Sequence, residues 1–130
     1  MKKILVADVP QMDARYSAAL AGWEAAFVRT MGQAHHALDA GRYDLAAIGV
    51  YFDDSRMFDL VRMLRGDDVH HEVPIICLRG TPGFTAVTTR TLEMTLKALG
   101  ADAFIDLVHF GDDAAGNAAL RAAVERFLKD

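Results

Sequence analysis

The sequence has one cysteine among its 130 residues, so no disulfide bond can form within the chain. That residue, Cys77, lies in the apolar run 73–78, where a small buried core side chain is expected. Stability must therefore come from the burial of apolar surface, and a chain of this length that is 52% hydrophobic can build its own core. We expect one compact domain over residues 1–130, in a reducing compartment.

Positive charge and long apolar runs are also scarce. The 14 Lys and Arg residues are outnumbered by 18 Asp and Glu, and the resulting net charge of −4 argues against nucleic acid or an anionic membrane as the main partner. Near the N-terminus the apolar stretch stops at Asp8, too soon for a signal peptide or a membrane span. These absences predict a cytoplasmic protein.

Linkers, internal repeats and low-complexity segments are missing as well. Only one residue follows the last predicted helix, so no attached output domain is expected. No glycine-rich phosphate loop follows the first predicted strand, where residues 9–12 read VPQM, and no arrangement of nucleophile, base and orienting group is visible. The sequence accordingly predicts neither an enzyme nor a bound cofactor.

What is present is a regular alternation of short apolar runs, typical of buried strands, with longer stretches of helical spacing. Such βα units pack as a parallel sheet between two layers of helices, with functional residues at the carboxyl ends of the strands. This pattern predicts an α/β, three-layer, doubly wound sandwich. The predicted strands are 3–8, 25–29, 43–50, 73–79 and 103–107, and the predicted helices are 13–21, 31–40, 56–65, 84–99 and 112–129.

Five segments, in this order and spacing, resemble the receiver domains of two-component response regulators, the family that includes the chemotaxis response regulator. The resemblance implies a flavodoxin-like (βα)5 fold with a five-stranded parallel sheet of order 2-1-3-4-5, and a role in phosphorelay signal transduction. The segments are 4–8 (ILVAD, the first strand), 41–45 (GRYDL, leading into the third), 59–65 (DLVRMLR, the third helix), 73–78 (VPIICL, the fourth strand) and 100–104 (GADAF, leading into the fifth).

Receivers carry a phosphoryl-transfer site. Two acidic residues after the first strand and one aspartate after the third hold Mg²⁺, and that last aspartate takes the phosphoryl group from a histidine kinase. A Thr or Ser after the fourth strand and a Lys after the fifth then bind the group. Convergent carboxylates suit a hard cation, and the transferring group needs the metal and the lysine to balance its charge.

Most of the matching positions are changed in this sequence. Asp8 fills the first acidic position, but Val9 stands at the second, and Gly49 stands where the phosphoacceptor aspartate is expected. Arg79 replaces the Thr or Ser, and the lysine falls at Leu107 or one residue later. Loss of the nucleophile, a metal ligand and the anion-binding groups removes what lowers the barrier to phosphoryl transfer.

The resemblance therefore implies a degenerate pseudo-receiver that lacks the phosphoacceptor aspartate, holds no metal and acts by protein–protein interaction. Its expected partner is a histidine kinase or a downstream effector, and a homodimer is also open. The expected interaction face comprises the fourth helix, the fifth strand and the fifth helix, with Phe84 and Phe104 as candidate switch residues. At Phe104 we expect a packed aromatic, because Arg79 replaces the hydroxyl that would couple to it. Residues 79–90 form a long segment rich in Gly, Pro and Thr, which is either a recognition element or a tether.

Arg79 is the most informative of these changes. Its guanidinium is predicted either to pair with Asp8, Asp53 or Asp54, with Gly49 leaving room for it, or to point into solvent.

Two other functions stay open. One is an active receiver that uses Asp53 or Asp54 as an unusual acceptor, and the other is a small flavodoxin-like ligand-binding protein or enzyme. The histidines at 35–36 and 70–71 are not predicted to form a metal site, because adjacent side chains on a helix point about 100° apart and do not share a ligand face. They are predicted to lie at the surface instead.

Overall fold

Five strands pair side by side in one parallel sheet of order β2-β1-β3-β4-β5, which confirms the order that the resemblance implies. The structure is a computed structural model, and it describes residues 1–80 and 86–128. Helices follow the strands, and the elements are β1 (Lys3–Ala7), α1 (Asp13–Ala19), β2 (Glu24–Val28), α2 (Met31–Ala40), β3 (Leu45–Gly49), α3 (Met57–Arg65), β4 (Ile75–Arg79), α4 (Ala86–Leu99), β5 (Ala103–Asp106) and α5 (Ala114–Glu125), with short 3-10 turns at Pro10–Met12 and Leu107–His109.

The three central strands are apolar because both faces of the sheet are covered. Every residue of β3 and β4 is buried, and along β1 the side chains alternate between two separate cores. Leu5 packs with side chains of α2, α3 and α4 on one face. Ile4 and Val6 pack with side chains of α1 and α5 on the other face. The period of two along a strand thus builds the three-layer sandwich.

Capping side chains set where α2 and α5 begin. The predicted and observed limits of α2 coincide, because the Thr30 hydroxyl accepts a hydrogen bond from the Gln33 N–H at 3.1 Å. In α5, Asp113 accepts from the Gly116 N–H at 2.8 Å, so the helix begins at Ala114 and not at residue 112. The predicted start of α4, at residue 84, lies outside the described residues.

Arg65 ties the amino-terminal edge of the sheet together. Its guanidinium donates to the carbonyl oxygens of Val73 at 2.7 Å and Gly100 at 2.9 Å, and to Asp102 Oδ2 at 3.0 Å. Asp102 Oδ2 also accepts the N–H of Ile75, the first residue of β4, at 2.8 Å. This one arginine therefore links α3 to the start of β4 and to the segment that leads into β5.

A second arginine joins the first and last helices. Arg121 of α5 donates to the carbonyl oxygens of Ala21 at 2.6 Å and Ala19 at 3.2 Å. Its guanidinium lies 4.0 Å from the ring centre of Trp23, a cation–π contact. The end of α1 and the turn into β2 are thereby fastened to α5.

The prediction that His70 is a surface residue is wrong. Its side chain is 2% exposed, and Nδ1 lies 2.8 Å from Asp67 Oδ2. Asp67 Oδ2 also accepts the N–H groups of Val69 and His70, and the hydrogen bond with the imidazole is the main cause of the lowered pKa of Asp67. His70 is a buried part of a tight turn before β4, and its neighbour His71 is exposed.

None of the helices in residues 1–80 and 86–128 combines the length and apolar character needed to cross a bilayer.

Candidate functional site

The carboxyl ends of the five strands bring the site residues to one edge of the sheet. In strand order, residues at or just beyond these ends are Arg29, Asp8, Gly49, Arg79 and Asp106. The register is fixed by ladder pairs such as Gly49 with Leu78 and Arg79 with Asp106. Ligands of open α/β sheets bind at this edge, so these side chains decide what chemistry the fold can support.

Asp8 is buried, and both of its carboxylate oxygens already accept hydrogen bonds from the protein. Tyr16, from α1, donates its hydroxyl to Oδ2 at 2.6 Å, and the Val9 N–H donates to Oδ1 at 2.8 Å. Burial raises the pKa of Asp8, and these two hydrogen bonds only partly offset it. Burial and the neighbouring Asp8 also raise the pKa of Tyr16 well above its usual value. The Asp8 carboxyl group is therefore held inside the protein by hydrogen bonds from α1 and from the backbone.

The space that a side chain at residue 49 would need is taken by Asp8. A Cβ atom built on Gly49 would lie 2.1 Å from both Cγ and Oδ1 of Asp8, and 2.2 Å from Oδ2. The prediction that Gly49 leaves room for Arg79 is therefore wrong, because the Asp8 carboxyl group at the end of β1 occupies that space. Glycine is required here for space.

Arg79 forms an ion pair, but not with the predicted partners. Nη2 lies 2.6 Å from Asp106 Oδ2, and Nε donates to Asp106 Oδ1 at 3.1 Å, so the contact is bidentate. The two side chains are 7% and 13% exposed. The pairing predicted with Asp8, Asp53 or Asp54 is wrong, since the register of β4 and β5 places Asp106 directly opposite Arg79.

Asp106 also organises the end of β5. Its Oδ1 accepts the Val108 N–H at 3.2 Å, and its Oδ2 lies 3.5 Å from Nε2 of the exposed His109. Partial burial acts to raise the pKa of Asp106, but hydrogen bonds from Arg79 and Val108 and the charges of Arg79 and His109 outweigh it and lower the pKa. At the position of the receiver lysine, the side chain of Leu107 is buried in the apolar core.

The two alternative acceptors lie in the loop after β3. Asp53 Oδ2 accepts the N–H of Met31, at the start of α2, at 2.8 Å and lies 3.8 Å from Nη1 of Arg56. Asp54 is exposed. Asp53, Asp54 and Ser55 have φ values of +44°, +54° and +67°, a left-handed turn that short polar side chains tolerate best. Asp53 thus stabilises the start of a helix.

Sequence reasoning missed Arg29, which lies just beyond β2. Its Nη1 donates to the carbonyl oxygen of Asp8 at 3.1 Å, and its Nη2 pairs with the carboxylate of Asp13. A guanidinium therefore stands at the end of β1. The sequence did offer a signal for Arg29, because it is the last residue of the predicted strand 25–29 and functional residues are expected at the carboxyl ends of strands.

The described residues at this edge do not fit a magnesium ion. Val9 and Gly49 carry no carboxylate, and the Asp8 oxygens are hydrogen-bonded to Tyr16 and to backbone. Across the described part of the chain, no three His, Cys, Asp or Glu side chains converge as metal ligands do. The arginines at this edge form ion pairs, Arg29 with Asp13 and Arg79 with Asp106.

Of the two candidate switch residues, Phe104 is half-buried in β5 and packs against the core on the α4 side of the sheet. Phe84 lies outside the described residues, as do residues 81–85 of the long segment after β4.

Solved structures with a similar fold include response regulators and signal receiver domains. The chemotaxis protein CheY4 of Vibrio cholerae has a TM-score of 0.78 and 21% sequence identity, covering 98% of this chain and 99% of that chain. The signal receiver domain of a signal transduction histidine kinase from Syntrophus aciditrophicus has a TM-score of 0.73 and 25% identity, covering 98% of this chain and 90% of that chain. The BeF3-activated N-terminal receiver domain of RstA from Klebsiella pneumoniae has a TM-score of 0.75 and 18% identity over 100% of both chains.

These likenesses confirm the flavodoxin-like (βα)5 fold. No protein-family model and no curated protein matches the sequence.

Proposed function

We propose that this chain is a single receiver-like domain of the two-component type that is not phosphorylated at the usual position and signals by protein–protein interaction. The observation that carries the proposal is the pair Gly49 and Asp8: the acceptor position has no side chain, and its space holds a buried carboxyl group. The structural neighbours support the receiver-like character.

The other elements of a phosphoryl-transfer site are replaced in the same way. Val9 removes a metal ligand, Leu107 removes the lysine, and Arg79 is bound by Asp106. Phosphoryl transfer depends on positioned charge around the transferring group. Without those groups the domain is a non-enzymatic module with neither cofactor nor metal.

The proposed interaction face comprises α4, β5 and α5. Met94 on α4 is 66% exposed and Val108, just after β5, is 40% exposed, so two large apolar side chains lie on this side of the molecule. Only contiguous apolar patches mark protein-binding sites, so the choice of this face rests on the resemblance to receivers, and Met94 and Val108 are the side chains that test it. We propose a histidine kinase or a downstream effector in the cytoplasm as partner, with the domain acting alone or as a homodimer.

Phosphorylation is tested with acetyl phosphate and Mg²⁺, followed by intact-mass measurement, with an intact receiver domain as positive control. We expect no gain of a phosphoryl group. A gain mapped to Asp53 or Asp54 would instead establish an active receiver with an unusual acceptor.

The interaction face is tested by affinity capture from the native cells with three forms of the domain. Met94→Glu should lose the partner that the unchanged domain captures. Val69→Glu is the matched control, because Val69 is 53% exposed but lies in the turn before β4, at the opposite edge of the sheet. If Met94→Glu captures the partner as well as Val69→Glu does, the interaction face does not include Met94.

A further inference from the structure

We infer that the carboxyl ends of β1 and β3 enclose a pocket for a single carboxyl group, which Asp8 fills from within and which accepts a free small carboxylate once the Asp8 side chain is shortened. The three atoms of the Asp8 carboxyl group all lie within 2.2 Å of the place where a Cβ of residue 49 would stand. The pocket does not depend on whether the domain signals or on what it binds.

The donors of this pocket are built into the fold. Tyr16 is 1% exposed and packs in the core between α1 and the sheet, so its hydroxyl stays directed at the pocket whether or not a carboxyl group is present. The second donor is the backbone N–H of Val9. The bare backbone of Gly49 forms the remaining wall. Two directed donors beside a cavity are what a carboxylate requires.

This geometry makes side chains at positions 8 and 49 mutually exclusive. Contacts under 3.0 Å from a Cβ force something to shift, and the atoms in the way are those of a side chain held by two hydrogen bonds. At the position where the resembled receivers carry the acceptor aspartate, the Asp8 carboxyl group therefore fills the space that a side chain would need.

Thermal unfolding of variants tests the exclusion. Gly49→Ala should lower Tm by more than about 5 °C, whereas the matched control Gly66→Ala should change it little, because its Cβ would meet its nearest neighbour, the Arg62 carbonyl oxygen, at an ordinary 3.4 Å. Asp8→Ala removes the three obstructing atoms. The double variant Asp8→Ala/Gly49→Ala should therefore unfold no earlier than Asp8→Ala alone. Losses that add in the double variant would overturn the inference.

Titration with sodium formate tests the pocket directly, with sodium chloride at equal ionic strength as the reference. Formate should raise the Tm of Asp8→Ala in a saturable way, because it can accept hydrogen bonds from Tyr16 and the Val9 N–H. It should have no such effect on the unchanged protein or on Asp8→Ala/Gly49→Ala, in which the new methyl group occupies the pocket. An effect no larger than that of chloride, or an equal effect on all three proteins, would refute the pocket.

Discussion

Arg79 and Asp106 face each other across β4 and β5, and the guanidinium of one holds both carboxylate oxygens of the other, at 3.1 and 2.6 Å. Both side chains are largely buried. In the receivers that this chain resembles, the same edge of the sheet binds an incoming phosphoryl group. In this chain a buried, bidentate ion pair lies at that edge instead.

Arg79→Ala should lower the free energy of unfolding by about 1–3 kcal/mol, because it leaves the Asp106 carboxylate without its main partner in a partly buried place. Arg56→Ala is the control, since that arginine is 51% exposed and its removal should cost less than about 0.5 kcal/mol. Urea unfolding of the three proteins measures both. If both variants lose the same free energy of unfolding, the buried pair stabilises the protein no more than an exposed arginine does.

The contribution of the Arg79–Asp106 pair should depend on pH in a defined direction. The pKa of Asp106 is lowered in the folded protein, so the unfolded state binds the proton more readily. The stabilisation is therefore present above the unfolded pKa of about 3.9 and is lost as the pH falls through the lowered folded value. The difference in unfolding free energy between the unchanged protein and Arg79→Ala should be constant from about pH 5 to 7 and shrink below about pH 4. A difference that grows on acidification contradicts the assignment.

Restoring the acceptor aspartate should not restore phosphorylation. Gly49→Asp would place its Cβ 2.1 Å from the Asp8 carboxyl group, and Val9 and Leu107 would still supply neither a metal ligand nor a lysine. Incubation with acetyl phosphate and Mg²⁺ should leave the mass of this variant unchanged. Rapid labelling of the single variant would show that the site is more permissive than its geometry indicates.

Arg65→Ala should destabilise the amino-terminal edge of the sheet. It removes hydrogen bonds to the carbonyl oxygens of Val73 and Gly100 and to Asp102, and we expect a loss of about 1–3 kcal/mol. Arg62→Ala, one turn earlier on α3 and 58% exposed, should cost less than about 0.5 kcal/mol. Amide hydrogen exchange at the start of β4 should accelerate in the first variant only.

The fold class could be predicted from local pattern, because strands covered on both faces must be apolar and because caps such as Thr30 mark helix ends, whereas the strand order was implied by the resemblance to receivers. The site could be predicted only in part. The glycine at position 49, where the resemblance places an acceptor aspartate, is visible in the sequence, but the occupation of its space by Asp8 depends on the separation of two strands that lie far apart along the chain. The partner of Arg79 likewise depends on a register that no local pattern encodes.

His70 shows a different kind of miss. Spacing arguments about shared metal ligands say nothing about whether a histidine is buried. The useful signal was Asp67, three residues earlier, whose carboxylate accepts both the imidazole and two backbone N–H groups of the same turn. A short acidic side chain that closes a turn can stabilise a buried histidine.

The contact of Arg121 with Trp23 gives the molecule an optical reporter at one defined place. Trp23 is the only tryptophan in the sequence, and the guanidinium that covers its ring comes from the last helix. Indole emission therefore follows the docking of α5 onto the end of α1, while circular dichroism averages over all helices. If the two signals change together during unfolding, the first and last helices separate in the same cooperative step as the sheet.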